Sequence, residues 1–390
     1  MALFPKYSKT REGQNVIMEQ KLLKAVNNLI LNAETCTGCG ICVDACPEEA
    51  IVLGPVGATR RGAIDYAEPV DIDPEKCSYC GVCVIMCPFN AMTLKIDGEE
   101  RLPILEQEGF PTYDMVTVID EEKCTRCTIC EEVCPRDAII RDVPAFEGAD
   151  EEAGKPRQSA LETKTTFTVD DEKCNYCGIC GELCPSITVV RKPVSPETGK
   201  VEGEVLWEES TCDGCMICVE ACPEEAITLE REFIGEKLPG KVDIHQDDCC
   251  TCRWCVETCP EEAITVEKIF EGDIEIYPEK CPGGCSTCVE VCPCNALYLP
   301  SPVPAKDMKG VIEPNIAINK DFCIFCGACV NACPSEDAIV LKRTAIRMQD
   351  VDTELFKGIK EKLLTTRTSK VKETTPGEVE IKVLREAQKA

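Results

Sequence analysis

Cys36, Cys39, Cys42 and Cys46, with Pro47 directly after, are separated by two, two and three residues, and this run returns seven more times along the chain. The later copies are Cys77, Cys80, Cys83 and Cys87; Cys124, Cys127, Cys130 and Cys134; Cys174, Cys177, Cys180 and Cys184; Cys212, Cys215, Cys218 and Cys222; Cys249, Cys252, Cys255 and Cys259; Cys281, Cys285, Cys288 and Cys292; and Cys323, Cys326, Cys329 and Cys333. Copy seven departs from the spacing by one extra residue, in Cys281-Pro-Gly-Gly-Cys285. Three thiolates at two-residue intervals on a tight loop reach three corners of one [4Fe–4S] cubane, while the fourth points away, toward a second cluster. The proline after it fixes φ and removes an N–H, which ends the turn. Eight copies of four ligands predict eight [4Fe–4S] clusters.

Two cysteines fall outside the pattern, Cys250 and Cys294, and are read as small buried hydrophobes or spare thiols. Other uses of so much cysteine fit less well. A disulfide scaffold belongs to a short secreted chain, whereas this one is long and starts Met1-Ala-Leu-Phe-Pro-Lys6, without an apolar signal region. Zinc sites pair two C-x2-C knuckles across a longer gap, and a thioredoxin-like pair needs one C-x2-C on a βαβ unit. The single histidine, His245, cannot build a histidine metal site and reads as a surface or strand residue.

The elements that must position these ligands are short. An alternating strand precedes most copies, as in Val70–Ile72, Phe167–Val169 and Val242–Ile244, and another follows the proline, as in Ala50–Leu53 and Ala226–Leu229. Strand, cluster loop, one or two helical turns and strand make a half-module, and exchange of the fourth cysteine requires two halves per module. The expected class is α+β, a tandem array of four bacterial-type two-cluster ferredoxin modules. Consecutive pairing gives modules at 26–97, 114–192, 203–268 and 272–342, between an N-terminal extension, 1–25, and a basic C-terminal extension, 343–390; nested pairing has the same motif count. Val16 to Ala25 is read as about two turns of helix.

Local departures also carry expectations. Copy four is short after Pro185, and the residue after the second cysteine is Gly40, Gly81, Gly178 or Gly327 in four copies but Thr128, Met216, Arg253 or Ser286 in the others. Arg253 either raises a cluster potential or is a solvated surface cation. The insertions 98–113 and 146–163 read as loops over the modules. Residues 341–390 hold twelve Lys/Arg against eight Asp/Glu, with a helix expected over Thr353 to Leu363.

Composition narrows the function. The formal charge is −28, and eight cubanes with four thiolates each add about −16. That excludes a nucleic-acid binder and favours partners with basic docking patches. Aromatic residues are 5%, so such small cores need the metal to fold. No apolar run approaches a membrane span, and a reducing, cytoplasmic setting is expected. No acid–base pair, nucleophile or phosphate-binding loop is evident, so the chain reads as an electron conduit without a catalytic site of its own.

The stretch Cys36-Thr-Gly-Cys-Gly-Ile-Cys-Val-Asp-Ala-Cys-Pro, the insertion Leu53-Gly-Pro-Val-Gly57, and the run Cys87-Pro-Phe-Asn-Ala91 resemble the polyferredoxin subunit of archaeal formylmethanofuran dehydrogenase. The resemblance covers the cluster-bearing region, roughly residues 36–340. It implies a methanogenic electron relay to a tungsten- or molybdenum-pterin subunit that reduces CO2. It also implies docking to a small ferredoxin-like subunit, and electrons received from ferredoxin or heterodisulfide reductase. The 32 motif cysteines are the residues whose role it carries over. The alternatives are the wire of a hydrogenase or heterodisulfide reductase complex, or a free electron-storage protein.

Overall fold

The computed structural model describes residues 4–107, 109–127, 129–142, 163–192, 201–212, 214–235, 237–281, 285–298, 316–351 and 353–370. Each copy builds the same local unit. Its first three cysteines lie on a loop, and a single helical turn joins the third to the fourth, as in Ile41–Ala45, Ile179–Leu183 and Ala328–Ala332. Short antiparallel strands stand before and after, giving the expected α+β class.

Two halves combine through two strand pairs. In the first module Ile51–Leu53 pairs with Val70–Ile72, and Val26–Asn32 with Met92–Ile96. In the last, Phe270–Ile276 pairs with Ile339–Ile346, and Leu297–Tyr298 with Ala317–Ile318. These join copies one with two and seven with eight, as consecutive pairing expects.

The four middle copies depart from consecutive pairing. Thr117–Ile119 and Ile139–Asp142, which flank copy three, pair with Ile264–Val266 and Lys241–Ile244, which flank copy six. Thr163–Val169 pairs with Ile227–Phe233, and Ile187–Arg191 with Gly203–Trp207, so copies four and five form a module inserted within the other. Modules at 114–192 and 203–268 are therefore not the paired units. Cross-strand chemistry agrees with the nested register, Lys164 facing Glu232 and Lys241 facing Asp142, and the two sheets of the inserted module meet where Phe167 stacks on Trp207 at 5.4 Å between centroids.

The N-terminal extension is a β-hairpin, not a helix. Lys6–Glu12 and Asn15–Lys21 turn at Gly13, whose φ of 60° suits glycine, and continue the first module's sheet through Val26–Asn32. Val16 and Met18, two apart, are buried against that sheet, a strand period where the sequence also admitted a helical one.

The C-terminal segment forms the expected helix, Glu354–Leu364, with the Thr353 side chain accepting from Phe356 N. Arg367–Thr368 then pairs with Ile339–Ile346. This segment returns to the first copy, where Arg367 ion-pairs with Asp44. Asn331, on the copy-eight helix, donates to the carbonyls of Gly38 and Cys39 at 3.1 and 2.8 Å, and Arg61 reaches the Ala332 carbonyl at 3.3 Å. The two ends of the array are thus packed together. The insertion at 98–113 carries the helix Pro103–Gln107, whereas residues 146–162 and the extra residue of copy seven lie outside the described residues.

Candidate iron–sulfur sites

Each cysteine loop is set by backbone geometry. Four residues before the first cysteine, Asn32, Asp73, Asp120, Asp170 and Asn319 fold an Asx turn, each side-chain oxygen accepting from the amide two residues on at 2.9–3.0 Å. In copy six that place is taken by His245, whose Nδ1 lies 2.6 Å from Asp248 and whose carbonyl accepts from Cys249 N. The lone histidine is therefore a half-exposed turn residue at the end of a strand.

Around the second cysteine the chain turns left-handed twice. Gly38, Tyr79, Tyr176, Gly214, Thr251 and Phe325 precede it, and Gly40, Gly81, Gly178, Met216, Arg253 and Gly327 follow, all at positive φ. Glycine in four copies answers this need, while Met216 and Arg253 adopt the same conformation against their Cβ preference. Ser286 of copy seven, at φ −106°, departs from it, beside the extra residue.

The folded chain then brings the cysteines together in fours. Cys36, Cys39 and Cys42 line a cavity with Cys87; Cys77, Cys80 and Cys83 line one with Cys46. Cys124, Cys127 and Cys130 meet Cys259; Cys174, Cys177 and Cys180 meet Cys222; Cys323, Cys326 and Cys329 meet Cys292. The same crossing brings Cys134 to Cys249 and Cys255, Cys184 to Cys218, and Cys333 to Cys288. In every set the fourth cysteine comes from the paired half.

The electrostatics of these sets call for a cation. Burial pushes Cys36 up to about 12 and Cys39 to about 11, and neighbouring thiolates add to the rise. Four such groups stay ionised together only around positive charge. The donors that line the five cavities are all soft sulfur, which suits an iron–sulfur cubane. Among the described residues no three His, Cys, Asp or Glu side chains converge as a single metal ion requires. Backbone amides also aim at the sulfurs: Ala50, Ala91, Ala138, Ala226, Ala263 and Ala296 donate to the fourth cysteine of their copies at 3.3–3.4 Å.

Cys250 and Cys294 are not motif positions, although Cys294 lines the cavity of Cys292, Cys323, Cys326 and Cys329. Each is 1% exposed and their sulfurs are 3.7 Å apart, so they pack copies six and seven together. Trp254 Nε1 donates to the Cys294 carbonyl beside them, and its ring stacks on Phe322. Arg253 is half-buried, not a fully solvated cation; its Nη2 pairs with Glu257 at 2.7 Å and its Nε is buried without a partner among the described residues.

One class of residue escaped the motif. The fourth residue beyond the isoleucine that opens the strand after the cluster loop is Arg191, Arg231 or Arg343 in copies four, five and eight, and Lys268, past the end of its strand, in copy six. Arg191 donates to the carbonyls of Tyr176 and Cys177, and Arg343 to the equivalent carbonyls of Phe325 and Cys326. The Arg231 side chain is 1% exposed, packs on Gly214 of its own loop, and leaves all three nitrogens without a hydrogen-bond partner, Glu261 lying 4.0 Å away. A buried guanidinium so placed needs nearby negative charge, which a cluster with four thiolates supplies. The first module has Pro55 and Ile96 at these positions. A cation recurring at one offset from that isoleucine in half the copies was the signal in the sequence.

Comparison with known proteins agrees with this geometry. The 4Fe-4S dicluster domain family matches residues 35–91, 211–263 and 272–337, a second 4Fe-4S dicluster domain family matches 166–223, and the 4Fe-4S binding domain family matches 117–140. The dicluster matches at 166–223 and 211–263 share copy five, so motif spacing alone admits either partner for it. Polyferredoxin protein FwdF of Methanocaldococcus jannaschii is 53% identical over 45 residues, 12% of each chain. A chain in the formate dehydrogenase–heterodisulfide reductase–formylmethanofuran dehydrogenase complex of Methanospirillum hungatei is 53% identical, with a TM-score of 0.70 over 96% of this chain and 97% of that one. With cysteine sets, dicluster domains and near full-length identity in agreement, the chain belongs to the same family as that chain of the complex and is a polyferredoxin.

Proposed function

We propose that the protein relays low-potential electrons through eight [4Fe–4S] clusters, held by the 32 motif cysteines, to the tungsten- or molybdenum-containing CO2-reducing subunit of a formylmethanofuran dehydrogenase complex. The observation that carries this reading is the near full-length 53% identity to a chain of such a complex. When bound, each cluster takes up and releases one electron. The chain's own residues do the rest: cysteines fix the sites, alanine amides and carbonyl-bound arginines set the charge around them, and the packed modules fix their separation. The small ferredoxin-like subunit is a proposed neighbour, and ferredoxin or heterodisulfide reductase the proposed donor, in the cytoplasm. Among the described residues no helix is long and apolar enough to cross a membrane.

Anaerobic purification of the native chain tests this. About 32 irons per chain are expected, with the pterin-containing subunit co-purifying. Recovery with hydrogenase subunits alone, or as a partner-free monomer, would replace the proposed role.

A further inference from the structure

Where the first and last copies meet, a cation is buried without a carboxylate. Arg343 is 2% exposed, and each of its three nitrogens donates to a carbonyl: Nε to Phe325 at 2.8 Å, Nη2 to Cys326 at 2.5 Å and Nη1 to Leu363 at 3.1 Å. Among the described residues no Asp or Glu lies within ion-pairing distance. Its guanidinium stands 5.3 Å from the centroid of Phe270, which meets Tyr113 edge to face, and Tyr113 in turn donates to the Met86 carbonyl of copy two. A β-carbon on Gly327 would meet Arg343 Nη2 at 3.3 Å and the Cys39 carbonyl at 3.5 Å. The charge therefore sits between the second cysteine of copy eight and the second cysteine of copy one.

We propose that Arg343 is a tuning cation shared by two sites, the sets Cys36/Cys39/Cys42/Cys87 and Cys323/Cys326/Cys329/Cys292, which raises the reduction potential of both and makes this joint the place where an electron settles between the first and last modules. The proposal rests on the cluster-bearing reading above. Three carbonyl dipoles orient the guanidinium but carry no net charge, so among the described residues thiolate-ligated clusters are its large counter-charge. Burial pulls the guanidinium below its ordinary value, while the thiolates of Cys326 and Cys39 pull it back up; arginine stays charged regardless. A like role is weaker for Arg191, which is only half-buried and faces the carbonyls of one loop.

The test is a redox titration of the full, anaerobically prepared chain followed by EPR, with iron content measured in parallel. Wild-type iron content tests the cluster reading separately. In Arg343→Met with full iron, signal equivalent to two clusters should shift to lower potential, at least tenfold less reduced at a fixed solution potential, or about 59 mV for one electron. Arg343→Lys should restore most of the shift, and Arg191→Met should move one cluster only. Unchanged potentials in Arg343→Met with full iron overturn the proposal. Should that variant lose iron, Arg343→Lys is compared with Arg343→Gln; a wild-type potential in the first and a depressed one in the second support it, and equal potentials overturn it.

Discussion

The first module and the inserted one carry the same cysteine motif in very different wrappings. Around copies one and two, a five-stranded sheet buries Val16, Met18, Leu29, Leu31, Met92 and Leu94, and Cys42, Cys46 and Cys83 are buried with them. Around copies four and five a smaller cluster buries Ile187, Cys218, Ile227 and Leu229, and Cys218 is the one buried ligand position among the described residues. The inserted module has an arginine on each half, Arg191 and Arg231, where the first has Pro55 and Ile96. The motif thus fixes which atoms can hold a cluster, and the flanking strands decide how dry and how positive the surroundings are. Among the described residues the dry Cys77/Cys80/Cys83/Cys46 site has no such cation, and a dry site without positive charge disfavours adding an electron, so it should be reduced at a lower potential than the inserted module's sites.

The largest expected difference is in metal dependence. Stripping iron with a chelator should unfold the inserted module outright, since its small buried core cannot sustain it. In hydrogen exchange, strands 163–169 and 227–233 should lose protection before strands 26–32 and 92–96; simultaneous loss would show that the N-terminal hairpin adds no independent stability. Next comes core truncation. Leu31→Ala, at a side chain 1% exposed, should cost about 2–5 kcal/mol, read as an earlier denaturation midpoint for the first module. Leu206→Ala in the inserted module, 46% exposed, should stay within about 0.5 kcal/mol. A smaller effect sharpens the nested pairing: reversing the Lys164–Glu232 pair one residue at a time should destabilise by up to about 1 kcal/mol, and the double swap should recover it. Absence of recovery would argue against that register. The smallest effect is at Arg253, whose pair with Glu257 is partly exposed; Arg253→Ala should change stability by less than about 1 kcal/mol and leave cluster potentials in place.

What could be read in advance followed from locality. The cysteine loops, their one-turn helices, the flanking strands and the Thr353-capped helix are specified by neighbours a few residues away. Val16 to Ala25 misled because its short apolar window fits two periods, and only pairing with Val26–Asn32 chooses between them. The nested order is a long-range property: the strand patterns after copies three, four, five and six are so alike that their partners are set by side chains far away in the chain, such as Trp207 against Phe167. The arginine position stayed hidden because its meaning needs the strand register, which places Arg191, Arg231 and Arg343 against the cluster loop of their own copy.

The hook of Asn331 on Gly38 and Cys39 ties the first copy to be synthesised to the last. A nascent chain released before residue 331 would carry its opening module with those carbonyls left to water and the Asp44 carboxylate without Arg367. Completion of the cluster-bearing array is thereby registered at its own beginning, 293 residues upstream of the side chain that closes it.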